Sequence, residues 1–211
     1  MTRLALSLLV CCLLCAAAPA LADAPKSPAR QALETSVVRI LDAIKNPDYV
    51  NPNKRLPLRQ QIEDEVLHIF DFQEFSARTV GAPWRHFSDA DKKQFSDAFA
   101  ELLLITYLDK IDGYNGEQVA FTGEKTSSKG DRAEISTEVK MKDNTRVPVA
   151  YRMMPKNGTW CVYDVLIEGV SLVKNYRTQF QDILARGNAA ELIARVKSKV
   201  AELKAKQKSP R

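Results

Sequence analysis

Cysteine is scarce in this sequence, and its placement limits what disulfides can contribute. The 211 residues contain four cysteines, and three of them, Cys11, Cys12 and Cys15, stand close to the N-terminus. Only Cys161 lies in the rest of the chain, so no intramolecular disulfide is expected once the N-terminal segment is removed. Cys161 stands in an apolar, strand-like run, and we interpret it as a small buried hydrophobe rather than a reactive thiol.

The sequence also lacks the short motifs of common catalytic and metal-binding sites. It contains no G-x-S-x-G, Walker or H-E-x-x-H pattern, and its only histidines, His68 and His86, have no second ligand at a metal-binding spacing. We therefore predict no metal site and assign no catalytic residue. An enzyme on an NTF2-like cone, using Asp164 and Tyr151 for acid–base chemistry, is kept as an alternative because fold alone does not define function.

Long hydrophobic runs are absent except near the N-terminus. Arg3 is followed by an uncharged apolar segment over residues 4–17, and Ala20 and Ala22 supply small residues at the end of the segment. This order is typical of a secretory signal peptide, and the segment is shorter than the ~20 residues of a membrane span. We predict cleavage after Ala22 and an exported, soluble mature chain.

The predicted mature chain is long enough for one domain with a sizeable core. Removing residues 1–22 leaves 189 residues and takes away Arg3 but no acid, so the net charge falls from +5 to +4. This charge is too small to indicate nucleic-acid binding. We predict a single domain over residues 23–206, followed by a basic, flexible tail over residues 207–211.

Periodicity divides the chain into three zones. Residues 27–113 and 170–206 carry apolar residues at helical spacing, whereas residues 117–168 alternate between apolar and polar side chains. The pattern predicts an α+β fold, with a helical layer packed on one curved antiparallel sheet of about four strands. Alternation places Val147, Val149, Tyr151 and Met153 on one face of a strand, and Cys161, Tyr163, Val165 and Ile167 on one face of the next. A filled core and a pocket are lined by the same residue types, so periodicity does not distinguish them. On periodicity alone, a filled core is the favoured interpretation.

A resemblance to a known family adds to this interpretation. Residues 160–180 read WCVYDVLIEGVSLVKNYRTQF. The run is similar to the hallmark W-x-V-Y-D-V-x-I-E-G-V-S-L-V-x-N-Y-R-x-x-F of the MlaC family, also called the Ttg2D or toluene-tolerance auxiliary family. The resemblance extends over about residues 30–195. Cys161 departs from the family, which often has lysine there. Supporting matches are Gly81, Trp84, Arg85, Phe95, Phe99, Leu103, Tyr107, Tyr114, residues 147–149, Tyr151 and Arg152.

The resemblance implies a function. Members of this family are periplasmic phospholipid carriers of the Mla pathway, which maintains outer-membrane lipid asymmetry. They move lipid between an inner-membrane ABC transporter with an MCE-domain ring and an outer-membrane lipoprotein complex. The resemblance further implies that phospholipid is cargo rather than a cofactor and that the protein is not a catalyst. It implies that the acyl chains are held between the sheet and the helices. We expect a monomer. A periplasmic adaptor with a filled core is a further alternative.

Together, the strand faces and the resemblance predict a lipid pocket and a few polar sites. The predicted pocket residues are Trp84, Phe95, Phe99, Leu103, Tyr107, Val147, Val149, Tyr151, Tyr163, Val165, Ile167, Val170, Leu172, Val173, Tyr176 and Phe180. Arg177, Arg152 and Asp164 are predicted to contact a headgroup or to form structural ion pairs. The lysine-rich C-terminal segment is either a solvated helix or a surface attracted to anionic lipid or to an acidic partner.

Overall fold

The computed structural model describes residues 25–112, 114 and 116–208, which form six α-helices and one sheet. The predicted signal peptide, its cleavage site after Ala22, and residues 209–211 of the predicted tail lie outside the described residues. The helices are α1 (Pro28–Lys45), α2 (Arg55–Ile69), α3 (Phe72–Val80), α4 (Asp89–Asp112), α5 (Leu172–Leu184) and α6 (Ala189–Lys208). The strands are β1 (Gln118–Thr126), β2 (Ala133–Lys140), β3 (Arg146–Lys156), β4 (Thr159–Ile167) and β5 (Val170–Ser171).

Capping residues mark the start of α1 and both ends of α3. The Ser27 hydroxyl accepts a hydrogen bond from the backbone N–H of Arg30, and the Asp71 carboxylate accepts one from the N–H of Glu74. Gly81 ends α3 with φ of 74°, a left-handed conformation that glycine adopts without strain. The helical zone predicted over residues 27–113 is confirmed, since it contains α1 to α4.

The strands follow one another in a simple antiparallel order, β1-β2-β3-β4-β5. Asn157 and Gly158 connect β3 to β4 with φ of 50° and 81°, as in a two-residue hairpin turn. The predicted α+β fold is confirmed, with a fifth strand of two residues where we expected helix to begin.

Helices α1, α2, α3 and α5 all contact β4. The buried side chains of Ile135, Met153 and Val162 lie on one face of the sheet, which we call the inner face. Helix α4 packs against α6 and α3, whereas α1 crosses the sheet and contacts β2, β3 and β4. No helix in the described part of the chain has the length and apolar composition needed to cross a membrane. The largest fully buried side chains of the main core include Phe75, Phe95, Phe99, Leu33, Ile135, Met153 and Val162.

A bulge in β4 corrects one of the predicted strand faces. Val165 lies opposite Tyr151 and Val162 lies opposite Met153, so Tyr163 is an extra residue between the two pairs. The prediction that Cys161 and Tyr163 share a face with Val165 is therefore wrong, because the extra residue reverses the alternation.

The bulge places Tyr163 on the outer face of the sheet. The Arg78 guanidinium carbon lies 4.0 Å from the centre of its ring, and that of Arg132 lies 5.9 Å away. Tyr163 lines an outer groove of about 340 Å³ with polar neighbours that include Glu134 and Arg152. It is thus excluded from the predicted pocket on the inner face.

Candidate functional site

Burial decreases along the inner face of the sheet, from one end to the other. Ile135 on β2 and Met153 on β3 are fully buried where α1 crosses the sheet. Further along the inner sides of β2 and β3, side chains such as Val149 remain partly exposed although they point inward. We call the apolar space that they border the cleft. Its partly exposed sheet side chains are Val119, Phe121, Val139, Val147, Val149, Tyr151 and Ile167.

Partly exposed side chains also occur in the second half of α4 and the first half of α5, and we assign these segments to the opposite wall of the cleft. Leu103 is 6% exposed, whereas Thr106 and Tyr107, one turn further along α4, are partly exposed. Tyr176 of α5 is also partly exposed and lies close enough to Thr106 and Tyr107 to interact with both. The cleft therefore has one wall from the sheet and one from the helices.

Closely packed aromatic rings close the inner end of the cleft. We call Phe75, Phe95, Phe99 and Phe180 the floor; each is at most 4% exposed. The ring centres of Phe95 and Phe180 lie 5.4 Å apart and those of Phe99 and Phe180 lie 5.2 Å apart, in edge-to-face geometry. Tyr176 joins the floor to the cleft, because its ring lies 4.9 Å from that of Phe99.

The wall of the cleft is polar in places but uncharged at the inward positions of β2, β3 and β4. Burial raises the pKa values of Tyr107 and Tyr151, and burial followed by the nearby Tyr107 raises the pKa of Tyr176 to about 12. The Thr137 hydroxyl donates to the carbonyl oxygen of Val149 at 3.0 Å. The cleft can thus offer neutral hydroxyl groups to a ligand within a largely apolar surface.

Two exposed apolar side chains mark the open end of the cleft. Val170 is 59% exposed and pairs with Ile167, so the two side chains lie on the same face. Met141, just after β2, is 36% exposed and continues the inward-facing series of that strand. Apolar surface therefore continues from the cleft to the solvent.

Asp164 and Arg152 lie on the outer face of the sheet and have structural partners. The Asp164 carboxylate is buried and accepts hydrogen bonds from the Ser171 hydroxyl at 2.7 Å and the Val173 N–H at 3.1 Å. Arg152 donates to Asp164 at 3.2 Å and to Glu134 at 3.0 Å. Asp164 thus joins β4 to the start of α5.

The same geometry separates Asp164 from Tyr151. Arg152 is the residue opposite Asp164, whereas Tyr151 is opposite Val165, so the carboxylate and the phenol project from opposite faces of the sheet. The acid–base pair considered from the sequence is therefore not assembled. Within the described ranges, no group of three or more His, Cys, Asp and Glu side chains is arranged to hold a metal ion.

Arg177 joins two helices. Its Nε atom donates to the carbonyl oxygen of Arg78 at 2.8 Å, and Nη2 donates to the same oxygen. That carbonyl lies in the last turn of α3, where a positive charge interacts favourably with the helix dipole. The structure thus shows a structural role for Arg177, with a backbone carbonyl of α3 as the partner rather than a carboxylate or the sheet.

The structure thus divides the predicted pocket residues into three groups. The first group borders the cleft and comprises Tyr107, Val147, Val149, Tyr151, Ile167, Val170 and Tyr176. The second group belongs to the packed core and comprises Phe95, Phe99, Leu103, Val165, Leu172, Val173 and Phe180, with Trp84 packed against it. Tyr163 is outside both. Residues omitted from the predicted pocket but signalled by their strand or helix face are Val119, Phe121, Val139 and Thr106.

The chain is similar to known proteins of one family. A family model described as MlaC protein matches residues 34–198. The chain is 22% identical over 150 residues to the intermembrane phospholipid transport system binding protein MlaC of Haemophilus influenzae, covering 69% of each chain. It is 26% identical over 176 residues to the toluene tolerance protein ttg2D of Pseudomonas putida, covering 82% of this chain and 80% of that protein.

A solved structure shares the fold. The phospholipid-binding protein of Ralstonia solanacearum, solved in complex with a phospholipid, superposes with a TM-score of 0.76 at 22% sequence identity. The match covers 84% of this chain and 99% of that one. At this identity the likeness shows a common architecture of sheet and helices.

Proposed function

The chain belongs to the MlaC family, and on that basis we propose that it is a transport protein that binds a phospholipid in the cleft. The observation that carries the proposal is the partial exposure of inward-facing apolar side chains such as Val149 and Ile167. A filled core would bury these side chains completely. An acyl chain lying along them would remove the same apolar surface from water.

The energetics of a phospholipid explain why a carrier is needed. Each CH₂ group of a tail costs about 0.8 kcal/mol to expose to water, so two ordinary tails cost roughly 20–25 kcal/mol. A carrier replaces the bilayer with another apolar environment and needs no catalytic group. This agrees with an enclosed floor of aromatic rings and an open end bordered by Val170 and Met141.

The family also suggests where the carrier works. We propose that residues 1–22 direct export and that the mature protein moves phospholipid through the periplasm between the inner and outer membranes, in an Mla-type pathway that maintains outer-membrane lipid asymmetry. The proposed partners are an inner-membrane ABC transporter with an MCE-domain ring and an outer-membrane lipoprotein complex, each met by a monomeric carrier. The name of the Haemophilus influenzae relative supports intermembrane transport.

The chemistry of the cleft favours recognition of tails over headgroups. The inward positions of β2, β3 and β4 carry no ionised side chain, and the arginines considered for headgroup contact are engaged elsewhere. Phospholipids that share acyl chains but differ in headgroup should therefore compete for the protein with similar affinities. A strong preference for one headgroup would contradict this part of the proposal.

Analysis of the co-purified lipid tests the function directly. The mature protein is purified from the periplasm without detergent, extracted with organic solvent and analysed by mass spectrometry. We expect phospholipid in near-stoichiometric amount and an intact protein mass that corresponds to a chain beginning at Asp23. Protein without lipid that also fails to take up phospholipid from vesicles would favour an adaptor with a filled core.

A further inference from the structure

The positive charge of this protein is concentrated in its last helix. Residues 189–208, which form α6, contain six Lys or Arg and two Glu, a net charge of +4. Residues 23–188 contain 23 basic and 24 acidic residues, so their net charge is −1. The moderate excess of positive charge in the predicted mature chain therefore lies entirely at its C-terminal end.

Packing directs the basic side chains of α6 towards solvent. Leu192, Ile193, Val196 and Val200 are each at most 5% exposed and form the side of α6 that faces the core. Lys197, Lys199 and Lys206 are exposed on either side of this buried stripe, and Lys199 and Lys206 both form ion pairs with Glu202, at 2.9 Å and 2.6 Å. The helix is thus amphipathic, and its exposed face, which carries lysines along both edges and Glu191 and Glu202 between them, spans about 30 Å at 1.5 Å per residue.

Two contacts between helices show where this face lies relative to the cleft. The Lys197 ammonium donates to the side-chain oxygen of Gln94 at 3.0 Å, and Lys204 forms an ion pair with Glu101. Both pairs have the same sequence offset, so α6 runs parallel to α4. Glu101 precedes Thr106 by five residues, or about 7.5 Å of helix rise. The C-terminal half of α6 therefore lies beside the middle of α4, and its end reaches the part of α4 that borders the cleft.

The composition of the face indicates what it contacts. Interfaces between proteins are enriched in aromatic residues, methionine and arginine and depleted in lysine. Helix α6 contains five lysines and no aromatic residue or methionine, and none of the exposed large apolar side chains of the described residues lies on it. Dispersed, flexible ammonium groups suit an array of anionic headgroups, to which each lysine near the surface contributes additively.

We propose that α6 docks the protein on anionic membrane surfaces and so holds the cleft beside the bilayer. The proposal rests on the proposed lipid-carrying function and adds to it a direct contact with the membrane. Such a contact would shorten the path of a phospholipid between bilayer and cleft. It is electrostatic, so it would weaken as ionic strength rises.

Vesicle co-sedimentation of the mature protein tests the proposal. The vesicles contain either phosphatidylcholine alone or equal parts of phosphatidylcholine and phosphatidylglycerol. We expect binding to the anionic vesicles only, and loss of this binding at high salt. The triple variant K197Q/K199Q/K206Q, which lowers the net charge of α6 from +4 to +1, should reduce the partition coefficient about a hundredfold, or roughly 3 kcal/mol at 1.4 kcal/mol per factor of ten.

A matched variant controls for the loss of total charge. K93Q/K125Q/K129Q also removes three exposed lysines, none of which lies on α6, and should bind nearly as well as the parent protein. Equal losses of binding in both variants would overturn the proposal. So would a failure of the parent protein to bind anionic vesicles, and an acidic protein surface would then be the expected partner of α6. Both variants should keep their co-purified phospholipid, so a failure to carry lipid is measured separately from a failure to dock.

Discussion

Replacing Val149 with tryptophan distinguishes an open cleft from a filled core. Val149 lies on β3 opposite Ile167, and both side chains are partly exposed although they face inward. An indole at this position can extend into the cleft, because the space beside it is not fully packed. We expect V149W to fold normally and to lose most of its co-purified phospholipid, since the ring occupies the volume of an acyl chain.

Val165 provides the matched control on the neighbouring strand. It is also a valine on the inner face and lies on β4 two residues before Ile167, but it is only 6% exposed. Overpacking a filled site costs about 1–3 kcal/mol. At roughly 2–4 °C per kcal/mol for a domain of this size, V165W should melt up to about 10 °C lower than the parent protein. Its bound phospholipid should be retained.

The assay must separate the two effects, because a bound ligand itself raises the melting temperature. The ratio of phospholipid to protein is therefore measured by mass spectrometry, and melting is measured after delipidation. If V149W keeps its full lipid load, or if delipidated V149W melts as low as V165W, then Val149 does not border an open cleft and the assignment of this face is wrong.

Three further predictions concern residues that do not lie on the inner face of the sheet. R177A should lose its paired hydrogen bonds to Arg78 and about 1.5–3 kcal/mol of unfolding free energy, while keeping its lipid; lost lipid with unchanged urea unfolding would instead indicate headgroup contact. Because burial raises the pKa of Tyr176 to about 12, unfolded tyrosine ionises first and stability should fall as pH rises from about 10 to about 12. Y176F should show a shallower fall in denaturant titrations, and an identical fall would refute the assignment. Burial, followed by the charge of Asp71, raises the pKa of the Cys161 thiol, so a thiol reagent should label native protein much more slowly than unfolded protein; equal rates would contradict this.

The elements that the sequence predicts well are those with local causes. Ser27 and Asp71 cap helices through hydrogen bonds to residues three positions away. Asn157 and Gly158 form a turn whose positive φ angles these residue types favour. The alternation of β2 is unambiguous because its outward positions are polar. Each of these signals is contained within a few residues, so no knowledge of tertiary packing is needed.

The bulge at Tyr163 has no such local signal. Both faces of β4 carry large apolar side chains, so inserting one residue leaves the hydrophobic pattern almost unchanged. The extra residue becomes visible only in the pairing of β4 with β3, where Val162 lies opposite Met153. Tyr163 was therefore assigned to the wrong face by a rule that holds for an uninterrupted strand.

Core and cleft residues differ in what covers them, and this is a property of the tertiary structure. Val165 and Val149 are the same residue type on the same face of adjacent strands, yet one is buried and the other partly exposed. The difference follows from the helices, because the floor fills the space at one end of the sheet, and among the described residues no comparable set of rings fills the other end.

This division allows stability and ligand binding to reside in different parts of one apolar interior. The described part of the chain contains no disulfide, so burial and packing must hold the fold together. The rings of Phe95, Phe99 and Phe180 supply that packing at the floor without contribution from a ligand. The cleft can then exchange its contents while the floor stays intact, which a carrier requires and which a uniformly packed core would prevent.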